Sequence, residues 1–272
     1  MNLAALVAYD GTRFAGFQRQ SPDKGPTVQG TLEAAFQRIA GVPITVEGAG
    51  RTDSGVHASG QVINAHVPAR LDPPTWQRAL NALLPSDVAI RATCAVPDAF
   101  RARRSALARS YQYRILCDAI RSPLRERYAW RVPAPLDLPA MARAVALLPG
   151  ERDFGAFGSS PQRQPDGLPA HTVRTLLVAE CEWRAASAGG APGQLARADE
   201  VELRFTANAF LSGMVRRLVG TLVLVGEGRL SLADFQAILE ARNKNHPGTA
   251  APACGLCLTG VEYPFGLIAW SS

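Results

Sequence analysis

Apolar and polar positions along the chain fall into short periodic stretches separated by turn residues. Leu3 to Tyr9 is a strand-like apolar run that stops at Asp10-Gly11, a turn signal. Arg13 to Gly25 shows no period and reads as a loop. Thr27 is placed to cap a helix in which Val28, Leu32, Ala35, Phe36 and Ile39 recur at helical spacing as far as Gly41. Ile44 to Glu47 and Gln61 to Val67 read as strands, with a glycine-rich segment between them. Asp72-Pro73 opens a second helix carrying Trp76, Leu80, Leu83 and Leu84, and Asp87 to Val96 returns as a strand.

The second half has the same style. Leu107 to Leu116 alternates as a strand and puts Tyr111, Tyr113 and Ile115 on one face. Asp137-Leu138-Pro139 starts a helix through Leu148 that Pro149-Gly150 stops, and Val173 to Trp183 is a strand. Residues Ala185 to Ala198, rich in Ala and Gly, read as a flexible excursion. Val201, Leu203, Phe205 and Ala207 then alternate with Glu202, Arg204, Thr206 and Asn208, a strand with one buried face. The strongest helical stripe is Leu211, Met214, Val215, Leu218, Val219, Leu222 and Val223. Ser231 with Asp234 opens a last helix, and Leu256 to Tyr263 closes as a strand. The pattern is α+β in two similar halves, residues 1–105 and 106–272.

Composition narrows the class. In 272 residues, 47% are apolar and 19% charged, a globular balance with ample material for a core. The longest candidate membrane segment, Leu218 to Gly226, is about half of the ~20 apolar residues a spanning helix needs. Met1 to Leu6 lacks a basic leader and soon meets Asp10, so no signal peptide is read and a cytoplasmic setting is expected. The five cysteines, an odd and scattered set, read as reduced core thiols. The net charge of +6 suits a polyanionic partner, and the arginines cluster: Arg101, Arg103, Arg104 and Arg109, then Arg121, Arg125, Arg127 and Arg131. Charge alone does not separate an RNA surface from a solvated one.

Several motifs fail on chemistry. Gly48-Ala49-Gly50 after a strand invites a dinucleotide loop, but Asp53 stands where a third Gly belongs and would repel a pyrophosphate. Gly50 to Gly55 has P-loop spacing, yet Val56-His57 replaces the Lys-Ser/Thr that holds phosphate and magnesium. Asp53, Ser54 and His57 are too close along the chain for the linear geometry of a triad. Cys254-Gly255-Leu256-Cys257 lacks the second pair of a zinc site and runs into a strand, so it reads as core thiols. No metal and no cofactor is expected.

Gly50-Arg51-Thr52-Asp53-Ser54-Gly55-Val56-His57 remains. It sets a carboxylate between glycines, beside a cation and two hydroxyls, on a strand-to-loop turn. On residue types alone an Asx turn is the plainer reading. Together with Ala58, however, this segment resembles the active-site signature of the bacterial tRNA pseudouridine synthase A family. The resemblance continues in Tyr9-Asp10-Gly11-Thr12, Phe14 to Gln20, Thr27-Val28-Gln29, Asn81 to Pro85, and Phe100 to Arg103. It extends through Arg109 to Tyr113, Asp153-Phe154, Val173-Arg174-Thr175, Asn208 to Leu211, Met214 to Arg216, and Val261 to Pro264. These segments stand in the family's order and span nearly the whole chain.

The resemblance implies a pseudouridine synthase fold, in which two α+β halves join their mixed or antiparallel sheets into one extended floor, with helices on the outer faces. It implies a cofactor-independent isomerase that converts uridine to pseudouridine at positions 38, 39 and 40 in the anticodon stem-loop of tRNA, working as a homodimer. Asp53 takes the catalytic position, Tyr111 the base-stacking tyrosine, and Arg216 the arginine paired with the catalytic carboxylate. Leu256 takes a wall of the uracil pocket, and Arg51 the residue that helps displace the target base. Two other classes stand beside it: a non-catalytic RNA-binding module, and a hydrolase using Asp53 on an N-glycosidic bond. The module leaves the Asp-Tyr-Arg set unexplained, and the hydrolase lacks an evident second carboxylate. Ser212-Gly213 stand where the family carries a basic residue or histidine, and Phe265 to Trp270 lies outside its pattern.

Overall fold

The computed structural model describes residues 1–159, 171–184, 199–241 and 248–270. In chain order its elements are β1 (Asn2–Tyr9), α1 (Val28–Ala40), β2 (Val46–Gly48), β3 (His57–His66), α2 (Pro73–Leu83), β4 (Val88–Val96) and β5 (Ala108–Cys117). There follow β6 (Trp130–Val132), α3 (Leu138–Ala146), β7 (Gly150–Asp153), β8 (Val173–Arg184), β9 (Asp199–Ala207), α4 (Met214–Gly226), α5 (Leu232–Ala241) and β10 (Leu256–Glu262). The architecture is α+β, as expected. The chain forms two compact units, Met1–Ser110 with Cys257–Ser272, and Tyr111–Leu256.

In the first unit the strands run β4-β1-β3-β10, with β2 on β3. β1 is antiparallel to both neighbours, and β3 meets β10 in parallel through Cys257↔His57 and Leu258↔Ala58. β1 is covered on both faces, which is why its sequence is apolar throughout rather than alternating. Helix α1 begins where Thr27 accepts the Gly30 N–H at 3.2 Å and ends at Gly41, whose φ of 75° is the left-handed cap expected of glycine. Phe36 of α1 packs on Trp76 of α2 at 5.7 Å between ring centroids. A second cluster gathers Ala4, Val62, Cys94, Val96 and Phe100, with Leu267 and Ile268 of the C-terminal tail packed against it. The tail that falls outside the family pattern therefore packs against this unit's core through Leu267 and Ile268.

The second unit orders its strands β5-β9-β8-β7, with β6 parallel to β5. β8 and β9 pair antiparallel from Leu176↔Ala207 to Arg184↔Glu200. The inward positions of β9, Val201, Leu203, Phe205 and Ala207, are fully buried. Glu202, read as an outward residue, is also buried, at 1% exposure. Arg204 covers it, with Nη2 2.6 Å from Glu202 Oε1 and Nη1 3.1 Å from Glu182. Helix α4 starts at Met214 rather than Leu211, because Gly213 before it takes φ 71°. The short strands β6 and β7 carry too few residues to show a period in the sequence. The excursion from Ala185 to Ala198 lies outside the described residues.

Burial pushes the phenols of Tyr9, Tyr113 and Tyr263 upward. In the unfolded chain these groups ionise near pH 10, whereas in the folded chain they keep their protons. Their stabilisation is thus complete below about pH 10 and is lost as pH rises further, since the unfolded state then binds fewer protons than the native one. We expect the urea midpoint to fall continuously above about pH 10. A midpoint independent of pH through that range would contradict the burial of these hydroxyls.

Candidate active site

The segment between β2 and β3 leaves the regular ladder, so its backbone polar groups need other partners. Ala49 N–H still donates to Val62 O at 2.8 Å. At Gly50 the fully buried side chain of Gln61 replaces a neighbouring strand: its Oε1 accepts Gly50 N–H at 3.2 Å and its Nε2 donates to Gly50 O at 2.7 Å. Thr52 is buried, with Oγ1 2.8 Å from the Tyr9 hydroxyl and its carbonyl accepting Phe17 N–H at 3.0 Å. Val56 N–H closes a turn on Asp53 O at 3.2 Å, and Gly55 inside it takes φ 78°. The Ser54 hydroxyl and the Gly55 N–H both reach Phe14 O, at 3.2 and 3.3 Å.

The residues read as a plain loop after β1 thus form the outer wall of the Asp53 turn. Their glycines permit it. A Cβ on Gly11 would stand 2.0 Å from Val56 O, and one on Gly16 2.9 Å from Thr52 O. His57 is turned to this wall, its Nδ1 accepting Gly11 N–H at 3.1 Å, a structural duty in place of a triad role. Asp53 itself is half-buried at the head of the turn, with Arg51 exposed two residues before it. Gln61, Tyr9 and Thr52 were not among the residues picked out from the sequence as site candidates. The available signal was the buried amide: Gln61 interrupts an apolar strand and must be hydrogen-bonded there.

Arg109 does not join the exposed arginines that the cluster suggested. It is 9% exposed and spends its guanidinium on the carbonyls of Ala49, Arg103 and Ala106. The second cluster is largely paired, Arg125 with Glu200 at 2.8 Å and Arg131 with Glu126 at 3.3 Å.

Tyr111, Arg216 and Leu256 belong to the second unit. Tyr111 is 8% exposed, and its ring meets Phe210 edge-on at 5.1 Å. Its strand neighbour Tyr113 is fully buried and donates to Pro252 O at 2.7 Å, the duty of a core aromatic. Arg216, half-buried on α4, donates through Nε to Ala251 O at 2.7 Å, while Ala251 N–H donates to Arg216 O at 2.9 Å. This approach needs Gly220, where a Cβ would stand 1.9 Å from Thr249 O. The same segment seats Gly255 on the Tyr113 ring and leads into Leu256, 6% exposed. Segment 249–256 therefore holds Arg216 through Ala251 and leads into Leu256, and Tyr113 anchors it.

Among the described residues, no three His, Cys, Asp or Glu side chains gather as a metal site, and no helix is long and apolar enough to cross a membrane.

A family profile described as tRNA pseudouridine synthase matches residues 5–103 and 144–264. The chain is 41% identical over 263 residues to the tRNA pseudouridine synthase A of Gloeobacter violaceus, covering 96% of this chain and 80% of that one. It is 42% identical over 259 residues to that of Paramagnetospirillum magneticum, covering 95% and 93%. With that of Moorella thermoacetica it shares 41% over 263 residues, covering 96% and 99%.

Gln61→Leu keeps the side chain's bulk but strips both partners from Gly50. Stability should fall by about 1–3 kcal/mol in urea unfolding. Amides of residues 50 to 56 should exchange with solvent roughly tenfold faster or more. Wild-type exchange in that stretch would show that Gln61 does not hold the turn.

Proposed function

The chain belongs to the tRNA pseudouridine synthase family, and we propose that it isomerises uridine to pseudouridine in the anticodon stem-loop of tRNA, at positions 38, 39 and 40, with Asp53 as its catalytic residue. The observation that carries this is the Asp53 turn. It lies inside the matched residues 5–103, and the chain around it is fixed at residues 49, 50, 52, 54 and 55 by hydrogen bonds to Val62, Gln61, Tyr9, Phe17 and Phe14. A carboxylate held this way is placed before substrate arrives, so little free energy goes to ordering it at the moment of reaction.

The reaction breaks the C1′–N1 bond of uridine and makes a C1′–C5 bond. The hydrogen at C5 leaves and N1 gains one, so atoms and electrons balance with no cofactor. A carboxylate fits each part of this chemistry, as nucleophile, as base, or as counter-charge to a developing sugar cation. In the proposed scheme Tyr111 stacks on the uracil, and its edge contact with Phe210 fixes the plane of the ring that would receive the base. Arg216 takes the place of the arginine that pairs with the catalytic carboxylate, its guanidinium steadied by Ala251 O. Leu256 closes the uracil pocket, and Arg51 fills the space left when the target base is drawn out of its stem. The resemblance further supports a homodimer acting in the cytoplasm.

Incubation with unmodified tRNA transcript, followed by carbodiimide treatment and reverse transcription, should give new stops at the anticodon stem-loop. Asp53→Asn should still bind the transcript while turnover falls by about 10³-fold or more. Absence of stops with wild-type protein would refute the isomerase reading. Turnover by the variant close to the wild-type rate would remove Asp53 from its role.

A further inference from the structure

Two loops of the first unit present arginines, of which the reaction scheme uses only Arg51, in place of the displaced base. Arg51 precedes the Asp53 turn, and Arg103 stands on the loop from Phe100 to Ala106; both side chains are exposed. Among the described residues no ion pair or side-chain hydrogen bond involves either guanidinium. Arg51 nonetheless senses Arg103: its guanidinium is pulled below its ordinary range by partial burial first and by the charge of Arg103 second.

Their separation is set from beneath. The buried Arg109 donates through Nε and Nη2 to Ala49 O, at 3.3 and 3.2 Å, two residues before Arg51. The same guanidinium donates to Arg103 O at 2.5 Å and to Ala106 O at 3.1 Å. One planar group thus joins the two loops, which a lysine with a single nitrogen could not do. The Arg103 loop is stiff in its own right, since Ala102 N–H donates to Asn64 Oδ1 at 2.8 Å and Tyr263 donates to Ala102 O at 2.7 Å.

Some other arginines of the chain are kept by carboxylates. Arg13 lies on Asp87, Arg19 on Glu33, and Arg121 near Glu126. An arginine on a solvated face meets a carboxylate or swings free. Arg51 and Arg103 meet no carboxylate among the described residues, and the backbone carrying each is tied to the same buried guanidinium through Ala49 O and Arg103 O. Holding like charges so costs free energy that a bound anion offsets, and guanidinium forks match phosphate oxygens.

We infer that Arg51 and Arg103 form a preformed grip for a backbone phosphate of the RNA beside the Asp53 turn, and that Arg109 is the positioning residue that builds it. This rests on the tRNA reading for the identity of the polyanion. Every phosphate neutralised releases counterions, so the number of contacts is read from the slope of log Kd against log salt.

The test is binding of unmodified tRNA transcript to the full chain across a KCl series. Arg103→Ala should weaken binding roughly 5- to 10-fold at moderate salt and flatten the slope by about 0.7 to 0.9, the value of one lost phosphate contact. Arg109→Lys retains the charge yet should also flatten the slope, an effect that mere loss of stability does not produce. Arg121→Ala should bind with the wild-type slope. A wild-type slope for Arg103→Ala would overturn the grip, and one for Arg109→Lys would overturn the positioning role. Failure of the wild-type protein to form pseudouridine would refute the proposed reaction while leaving these slopes to decide the grip.

Discussion

The double hydrogen bond between Gln61 and Gly50 is the interaction on which the candidate site depends. The Asp53 loop leaves the sheet ladder, yet it stays close enough to the core that unpaired backbone groups would be costly. Gln61 resolves the conflict by acting as a piece of strand. Tyr9, Phe14 and Phe17 do the same for residues 52, 54 and 55. The partners that satisfy the backbone are also what fix the position of Asp53. Stability and placement therefore arise from the same bonds, and the Asp53 carboxylate gains preorganisation from a requirement of burial.

The second unit solves a related problem with close backbone approach. Arg216 needs a fixed acceptor, and the segment 249–256 provides Ala251 O only because Gly220 lets that segment lie against α4. The Tyr113 hydroxyl, kept protonated by burial, holds Pro252 O in the same segment. Tyr113, on the same strand face as Tyr111, is thus a support for the residues read as binding the base.

Much of the fold is legible in the chain because its signals are local. Thr27 and Gly41 bracket α1, Asp72 and Asp137 cap α2 and α3, and the alternation of Val201 to Ala207 marks β9. What could not be read depends on partners distant in sequence. Gln61 looks like an interruption until Gly50 is beside it, and Arg109 looks like surface charge until the carbonyls of Ala49 and Arg103 surround it. Glu202 follows the polar half of an alternating strand, and only Arg204 and the neighbouring strand explain its burial. The start of α4 turns on one dihedral angle at Gly213, which residue type alone does not set. Asp53 was visible as a suggestive carboxylate, but residue types alone favoured a simple turn; the family signature around it raised it to a catalytic candidate.

In the proposed reaction the first unit presents Asp53 for an isomerisation in which uridine exchanges its N1 attachment for C5. The most direct measurement follows the hydrogen at C5, using tRNA transcript labelled with tritium at that carbon of uridine. Wild-type protein should release tritium to water in step with pseudouridine formed, with no free uracil, and Asp53→Asn should release it about 10³-fold more slowly or not at all. Retention of the label by wild-type protein, or appearance of free uracil, would contradict the isomerisation.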